Sequence, residues 1–323
     1  MTAVTLGIDV GGTNTKIGFV DRHGKCLVST HIPTGADEPF DNFLKNVFAT
    51  VDDLKSKAGE IDMVAVGIGA PNANYYNGKI EKAVNLKGWG EEVAIADLMQ
   101  DHFKVPVAIT NDANAAALGE MKFGVAQGMK NFIVVTLGTG LGSGIIVNGD
   151  LLYGHDGFAG ELGHINVVED GRICGCGRRG CLETYVSATG IKRTMFELLA
   201  DNNGNSLLSG KTFEQLTAKD IFDAAEDGDA LAKEAFDVTG EILGKALADT
   251  IAIFSPEAIV LFGGLASAGE YITEPTRAAM EENCLSLFKG KTRLVVSNLE
   301  GDNTAILGSS ALAWQEYEKL QKA

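Results

Sequence analysis

Proline and positive charge are both scarce in this chain. Only 6 of its 323 residues are proline, which argues against long extended linkers. Its 27 lysines and arginines are outnumbered by 43 aspartates and glutamates, giving a net charge of −16. Because so acidic a protein repels nucleic acid and anionic membranes, we expect neither as a partner.

Long apolar runs and paired cysteines are also lacking. No apolar run reaches the roughly 20 residues that a transmembrane helix needs. Met1 leads directly into the apolar residues 4–10, without a charged segment or cleavage site, so we predict no signal peptide. Two of the five cysteines are isolated and three are clustered, a pattern typical of a cytoplasmic protein with a metal site and no disulfide framework.

Two glycine-rich hairpins are the first positive feature. Residues 3–20 form a predicted strand, a turn rich in glycine and threonine, and a second strand, and residues 132–152 repeat the pattern. The repetition indicates an internal duplication, and two such turns could clamp the phosphates of one nucleotide. No complete P-loop motif occurs, and a strand follows the glycines where a dinucleotide fold needs a helix.

Predicted strands and helices alternate through the rest of the chain. Amphipathic spacing predicts helices over residues 40–58, 95–103, 229–254 and 304–322, and buried apolar runs predict strands over residues 63–68, 105–109, 258–262 and 293–297. The strand at 105–109 leads into Asn111 and Asp112. Asp112 is either the N-cap of the next helix or a carboxylate that accepts a proton during phosphoryl transfer.

Residues 161–183 contain a dense cluster of metal-binding side chains. Four of them could close a tetrahedral structural zinc site, namely His164, Cys174, Cys176 and Cys181. A metal there would also fix Glu161 and Glu183, which flank the ligands. His164 could bind zinc through one ring nitrogen and donate from the other to a substrate hydroxyl.

Taken together, these motifs resemble those of the ROK family of sugar kinases and sugar-responsive repressors. The resemblance rests on residues 9–16 (DVGGTNTK), the Asn111-Asp112 pair, residues 137–144 (LGTGLGSG), 161–164 (ELGH) and 174–183 (CGCGRRGCLE). It extends from about residue 5 to the C-terminal helix, and residues 187–190 (SATG) are most similar to the bacterial glucokinase branch.

The resemblance implies an α/β, actin-like (ribonuclease H-like) ATPase fold with two α/β domains around a central cleft. One domain would comprise residues 1–112 and about 301–323, and the other residues 113–300 with the zinc loop. ATP and Mg²⁺ would bind in the cleft.

The resemblance also implies roles for individual residues. Asp112 would be the general base on the sugar 6-hydroxyl. The sugar would be held by Ala70, Asn85, Asn111, Asp112, Glu161, His164 and Glu183. The nucleotide and its metal would be lined by Asp9, Gly11, Gly12, Thr13, Asn14, Lys16, Gly138, Thr139, Gly140, Gly263 and Gly264.

The expected activity is therefore ATP-dependent phosphorylation of a hexose, with glucose as the first choice, by a homodimer. N-acetylglucosamine, N-acetylmannosamine, fructose and allose remain alternatives, and so does polyphosphate as the donor. A repressor would need a helix-turn-helix segment before the first hairpin, which begins within a few residues of Met1. A non-catalytic actin-like assembly protein would have no use for Asp112 or the zinc cluster.

Overall fold

The computed structural model of the chain describes residues 1–202, 204–299, 301 and 303–322. Its strands are β1 (Thr2–Val10), β2 (Asn14–Asp21), β3 (Cys26–Pro33), β4 (Ile61–Gly69), β5 (Ala73–Asn74), β6 (Lys79–Glu81), β7 (Glu92–Val93), β8 (Val107–Thr110), β9 (Phe132–Leu137), β10 (Leu141–Val147), β11 (Asp150–Leu151), β12 (Ala258–Phe262) and β13 (Arg293–Val296). Its α-helices are α1 (Phe40–Ala58), α2 (Ile95–Phe103), α3 (Asp112–Phe123), α4 (Ala188–Asp201), α5 (Ala218–Glu226), α6 (Ala230–Phe254), α7 (Glu270–Asn283) and α8 (Thr304–Lys322). None of the helices in these ranges combines the length and the apolar character that a membrane span requires.

The chain divides into two compact units. The first unit comprises Met1–Met129, Asp150–Ala159 and Asn298–Ala323, and the second comprises Lys130–Gly149 and Gly160–Ser297. Each unit contains a mixed sheet with helices packed on it.

In the first unit, the sheet has the order β3-β2-β1-β4-β8. Side chains of a strand alternate between its faces, and β1 uses both. Leu6 and Ile8 join the core that contains the buried face of α1, whereas the Thr5 hydroxyl lies 2.6 Å from that of Ser310 on α8. Helices therefore cover this sheet on both faces, as sheets with parallel strands require.

The second unit repeats the strand arrangement of the first. Strand β9 is antiparallel to β10 and parallel to β12, which is parallel to β13. The same relations join β1 to β2, β1 to β4, and β4 to β8. The internal duplication that the two hairpins predict is therefore confirmed at the level of topology. Helix α6 packs against α4, α5 and α7 in this unit.

Most predicted elements lie where the sequence places them, but the start of β8 and the short strands β5 to β7 differ from the prediction. Helices α1, α2 and α8 have the predicted bounds, but β8 begins at Val107, two residues later than predicted, after Pro106, which has no N–H to donate to a ladder. The short strands β5, β6 and β7 form a small separate sheet in a stretch without a periodic pattern.

Helix α3, expected in the second domain, packs against α8 and lies in the first compact unit. Residue 300, at the predicted domain boundary, is outside the described residues. The division into two functional domains stays a prediction.

Candidate active site

Two carboxylates lie at one edge of the sheet in the first unit. Asp9 aligns with Gly69, and Gly69 aligns with Thr110, so the carboxyl ends of β1, β4 and β8 meet there. Ligand sites in α/β sheets gather at such an edge. Burial, followed by the nearby charge of Asp112, raises the pKa of Asp9 to about 6, and Lys16 acts in the opposite direction. Two acids whose charges interact in this way favour a bound cation or a shared proton.

Asp112 opens α3 without capping it. The N-cap is Asn111, whose side chain accepts a hydrogen bond of 2.7 Å from the Asn114 N–H. The alternative that Asp112 is the N-cap is therefore wrong, because Asp112 is the first residue of the helix itself and the N-cap is the residue before it. The Asp112 carboxylate accepts the local N–H of Ala113, at 2.8 Å. Its side chain reaches solvent, yet the surrounding protein desolvates it and raises its pKa.

The first hairpin turn contains the predicted phosphate-binding residues of this unit. The Gly11 N–H donates to the Asn14 carbonyl at 3.1 Å and closes the turn, while Thr13 and Asn14 are exposed. A Cβ added at Gly12 would lie 3.5 Å from the Cβ of Asn85. The structure therefore brings Asn85, predicted from the resemblance as a sugar contact, against the turn predicted for the nucleotide.

Ala70 occupies a different environment from the other predicted sugar residues. Its side chain is fully buried, and its N–H donates to the Thr110 carbonyl at 3.0 Å. That bond ties the loop after β4 to the end of β8, two residues before Asp112. We therefore expect Ala70 to support the site's backbone and not to contact a ligand through its side chain.

In the second unit, the four predicted zinc ligands come together. His164, Cys174, Cys176 and Cys181 each offer one ligand atom, and these atoms lie within 4.8 Å of one another. The Cys174 sulfur is 3.7 Å from His164 Nδ1, and the sulfurs of Cys176 and Cys181 are also 3.7 Å apart. Zn–S and Zn–N bonds of about 2.3 and 2.0 Å around a tetrahedral ion place neighbouring ligands about 3.5 to 3.8 Å apart. The four side chains fit a structural zinc ion.

Arg172 supports the zinc loop, and the sequence alone did not single it out. Its Nη1 donates to the carbonyls of Thr184 and Gly190, at 2.8 and 3.1 Å. Its Nε donates to Glu197 at 3.0 Å, and the guanidinium lies 4.4 Å from the centre of the Tyr185 ring. The bonds to the Thr184 and Gly190 carbonyls fix the loop to the start of α4 through backbone atoms, which no residue pattern reveals.

The acids that flank the zinc ligands are oriented by different partners. His164 directs Nδ1 toward Cys174, and its Nε2 lies 4.0 Å from Glu161 Oε2. This is the division of the two ring nitrogens that the sequence suggests, one toward the metal and the other outward. Glu183 is held differently, since its Oε2 accepts a hydrogen bond of 3.0 Å from the Leu141 N–H.

A cavity of about 530 Å³ opens beside the second hairpin turn. Its size is that of a small-molecule site. The lining residues are mostly small or apolar: Leu137, Gly138, Thr139, Ala188, Ala218, Lys219, Phe222, Phe236, Gly264, Leu265, Ser267 and Ala268. Three of the residues predicted to contact nucleotide, Gly138, Thr139 and Gly264, lie in this wall.

Gly263 contributes to the cavity through backbone packing. Its φ is +101°, and a Cβ there would lie 2.8 Å from the Leu137 carbonyl oxygen. Only glycine fits such a close approach without strain. The Leu265 N–H donates to the same carbonyl at 3.1 Å, so the loop after β12 is fixed against the end of β9.

The aromatic wall of the cavity was not predicted from the sequence. Phe222 comes from α5 and Phe236 from α6, and both belong to ordinary amphipathic patterns that indicate core packing. Flat apolar surfaces beside a glycine-rich turn suit a nucleoside base next to its phosphates.

Sequence similarity to known proteins extends over nearly the whole chain. The profile of the ROK family matches residues 5–316. The glucokinase of Halalkalibacterium halodurans is 36% identical over 322 residues, covering 98% of this chain and 97% of the relative. The glucokinase of Thermotoga maritima is 35% identical over 310 residues, covering 95% and 96%.

Among solved structures, the chain is similar to a ROK family glucokinase from Streptomyces griseus in complex with glucose and AMPPNP. The TM-score is 0.79 and the identity 32%, covering 97% of this chain and 99% of that chain. The α/β, actin-like ATPase fold that the sequence resemblance implies is thereby confirmed.

Proposed function

Because the chain belongs to the ROK family, we propose that it is an ATP-dependent hexose kinase that phosphorylates the 6-hydroxyl of glucose. The observation that carries the proposal is the placement of Asp112. It stands at the carboxyl ends of the parallel strands β1, β4 and β8, free of the capping role, with its pKa raised by desolvation. The glucokinase relatives, which match this chain over nearly its full length, support glucose as the acceptor.

In the proposed reaction, Asp112 accepts the proton of the sugar 6-hydroxyl. The hydroxyl oxygen forms a bond to the terminal phosphorus of ATP, and the bond from that phosphorus to the ADP oxygen breaks. A raised pKa makes Asp112 a better proton acceptor than an ordinary aspartate. Such a base typically contributes a factor of about 10² to 10⁴ to the rate.

Each hairpin turn would offer groups for phosphate binding. The Gly11 and Gly138 N–H groups close their own turns, so the backbone N–H groups of Gly12 and Gly140 would face phosphate oxygens, with the exposed Thr13 and Thr139 beside them. When bound, Mg²⁺ neutralises charge on the phosphates, and Asp9 would hold it. The cavity lined by Phe222 and Phe236 would take the nucleoside.

Sugar binding would use the polar residues that the family resemblance implies, namely Asn85, Asn111, Glu161, His164 and Glu183. Zinc would keep His164 neutral and fixed, so that Nε2–H can donate to a sugar hydroxyl. The metal's role would be structural, because the four side chains would fill all four of its positions.

A coupled assay across glucose, N-acetylglucosamine, N-acetylmannosamine, fructose and allose tests this function. We expect the highest kcat/KM with glucose and ATP; polyphosphate is run as a second donor. Turnover of none of these sugars would overturn the proposal.

The role of Asp112 is tested by Asp112→Asn. The variant should lower kcat by about 10²-fold or more, with sugar affinity within about tenfold, or about 1.4 kcal/mol. Asp101→Asn, on the exposed face of α2, is the matched control and should retain wild-type kinetics. Near-full activity of Asp112→Asn would exclude Asp112 as the base.

We further propose a cytoplasmic homodimer. Sedimentation of the purified protein would measure its oligomeric state, and fractionation of cells its location.

A further inference from the structure

The chain segment that contains Glu183 is tied at three points to the second hairpin turn. The Leu141 N–H donates to Glu183 Oε2 at 3.0 Å. Farther along the segment, the Ala188 N–H donates to the Gly138 carbonyl at 2.8 Å. The Thr189 hydroxyl donates to the Thr139 carbonyl at 3.1 Å. The turn at residues 138–141 and the segment at residues 183–189 therefore form one hydrogen-bonded assembly within the second unit.

Gly140 leaves the space that the Glu183 carboxylate occupies. A Cβ added at Gly140 would overlap Glu183 Oε2. Gly138, two residues earlier in the same turn, has nothing within 4 Å of an added Cβ. The two glycines therefore differ in their surroundings, although the pattern of the turn makes them look equivalent.

We propose that Gly140 is a positioning residue for the sugar. Its missing side chain allows the Leu141 N–H to hold the Glu183 carboxylate through Oε2. The other oxygen, Oε1, lies 3.7 Å from the Cys174 sulfur and would also accept from a hydroxyl of the hexose. This rests on the proposed function, in which Glu183 contacts the acceptor sugar. A carboxylate oxygen has more than one acceptor position, so the bond to Leu141 orients Glu183 without consuming its capacity to bind a hydroxyl.

The collision that a side chain at position 140 creates is with the far end of a flexible side chain. Glu183 can rotate away from an added methyl group, whereas a clash with backbone would force the fold to move. Gly140→Ala should therefore keep the fold and displace the carboxylate, which separates the positioning role from a role in stability. Its melting temperature should stay within a few degrees of wild type.

Isothermal titration with D-glucose in the absence of nucleotide tests the proposal. Gly140→Ala should weaken glucose binding by about 10- to 100-fold, the range expected for loss of a well-oriented hydrogen bond to a charged group. Gly138→Ala is the matched control and should leave the glucose Kd within about twofold, whatever its effect on nucleotide binding. Equal glucose affinity in Gly140→Ala and wild type would overturn the proposal.

A double-mutant cycle with Glu183→Ala shows whether Gly140 acts through Glu183. Because the carboxylate is already displaced in Gly140→Ala, adding Glu183→Ala should change the glucose Kd by less than about threefold. Additive losses would contradict the proposal. If the wild-type protein binds glucose in these titrations, a failure of the Gly140 prediction does not count against the proposed function. Wild-type protein that binds no hexose would overturn both the proposed function and the role of Gly140.

Hydrogen exchange at the Leu141 amide offers a readout without a substitution at Gly140. The exchange should be faster in Glu183→Ala than in wild type, because the acceptor is lost. Unchanged exchange would show that Glu183 is not held by this N–H and would overturn the proposal.

Discussion

Asp9→Asn should stabilise the folded protein at neutral pH while removing its kinase activity. The pKa of Asp9 is raised from 3.8 to about 6, chiefly by burial and secondly by the charge of Asp112. The folded state therefore disfavours the ionised carboxylate. About two pKa units correspond to about 3 kcal/mol at a pH where the group is ionised in both states. Asparagine has a similar shape and no charge to desolvate, so we expect a gain of about 2 to 3 kcal/mol.

The pH dependence follows from the direction of the shift. A group whose pKa is higher in the folded state contributes stability that is fully present below the unfolded pKa of 3.8 and is lost as the pH rises through about 6. Wild type should therefore lose this contribution between about pH 4 and 6, and Asp9→Asn should not. The advantage of the variant should be small near pH 4 and constant above about pH 7. Lys16 is the cation that opposes the shift.

Urea unfolding at several pH values between 4 and 8, without nucleotide or Mg²⁺, measures this difference. Asp62→Asn, at an exposed position on β4 of the same sheet, is the control and should unfold like wild type at every pH. A variant less stable than wild type at pH 7.5, or a stability difference that does not vary with pH, would refute the reasoning. Asp9→Asn should have no measurable turnover, because the side chain proposed to hold Mg²⁺ loses its charge.

Two other predictions concern the second unit. Cys176→Ser should lose one zinc per chain, measured by elemental analysis, and should lose glucose binding, measured by titration. Cys26→Ser, far from the cluster in sequence, should keep both the zinc and the glucose binding. Wild-type protein without zinc would contradict this prediction. Phe222→Ala should raise the Kd for ATP about five- to tenfold, or about 1 to 1.4 kcal/mol, since it removes one wall of the cavity. Phe213→Ala removes a ring that packs on Phe196 outside the cavity lining, and it should leave the Kd for ATP unchanged. Equal effects of Phe222→Ala and Phe213→Ala on this Kd would argue against a nucleoside in the cavity.

The sequence predicted local structure well where one periodic signal dominates. Helix α1 has the expected bounds because its buried residues recur at helical spacing. The zinc cluster was also predictable, since its four ligands lie within 18 residues of one another in a pattern that ordinary packing does not produce. The two hairpins showed the duplication because their turns share composition as well as length.

What the sequence could not give depends on contacts between distant segments. Phe222 and Phe236 face a cavity only because α5 and α6 pack together beside the end of β9. The pKa of Asp9 depends on Asp112, which is more than 100 residues away in the chain. Asn111 is the N-cap because the helix begins at Asp112; a start one residue later would have made Asp112 the N-cap, and both residue types are favoured at that position. Propensity cannot decide between two adjacent good caps.

The duplicated sheets differ at the position of Asp9, the half-buried acid of the first unit. In each hairpin three residues separate the strands: residues 11–13 between β1 and β2, and residues 138–140 between β9 and β10. Aligning the two turns places Thr136 at the position of Asp9. The Thr136 hydroxyl accepts the Gly142 N–H at 3.1 Å, so this position in the second unit is neutral and satisfied within the hairpin.

This difference separates the roles of the two copies. An ionised aspartate at both positions would impose the desolvation cost twice, whereas only one is needed to hold a metal ion. The second copy instead presents an uncharged turn, followed by the Leu141 N–H that holds Glu183. The three-residue turn thus lies beside the half-buried Asp9 in one unit and beside Glu183, which we propose as a sugar contact, in the other. The two turns therefore differ in charge, because an acid precedes the turn of the first unit and a threonine precedes the turn of the second.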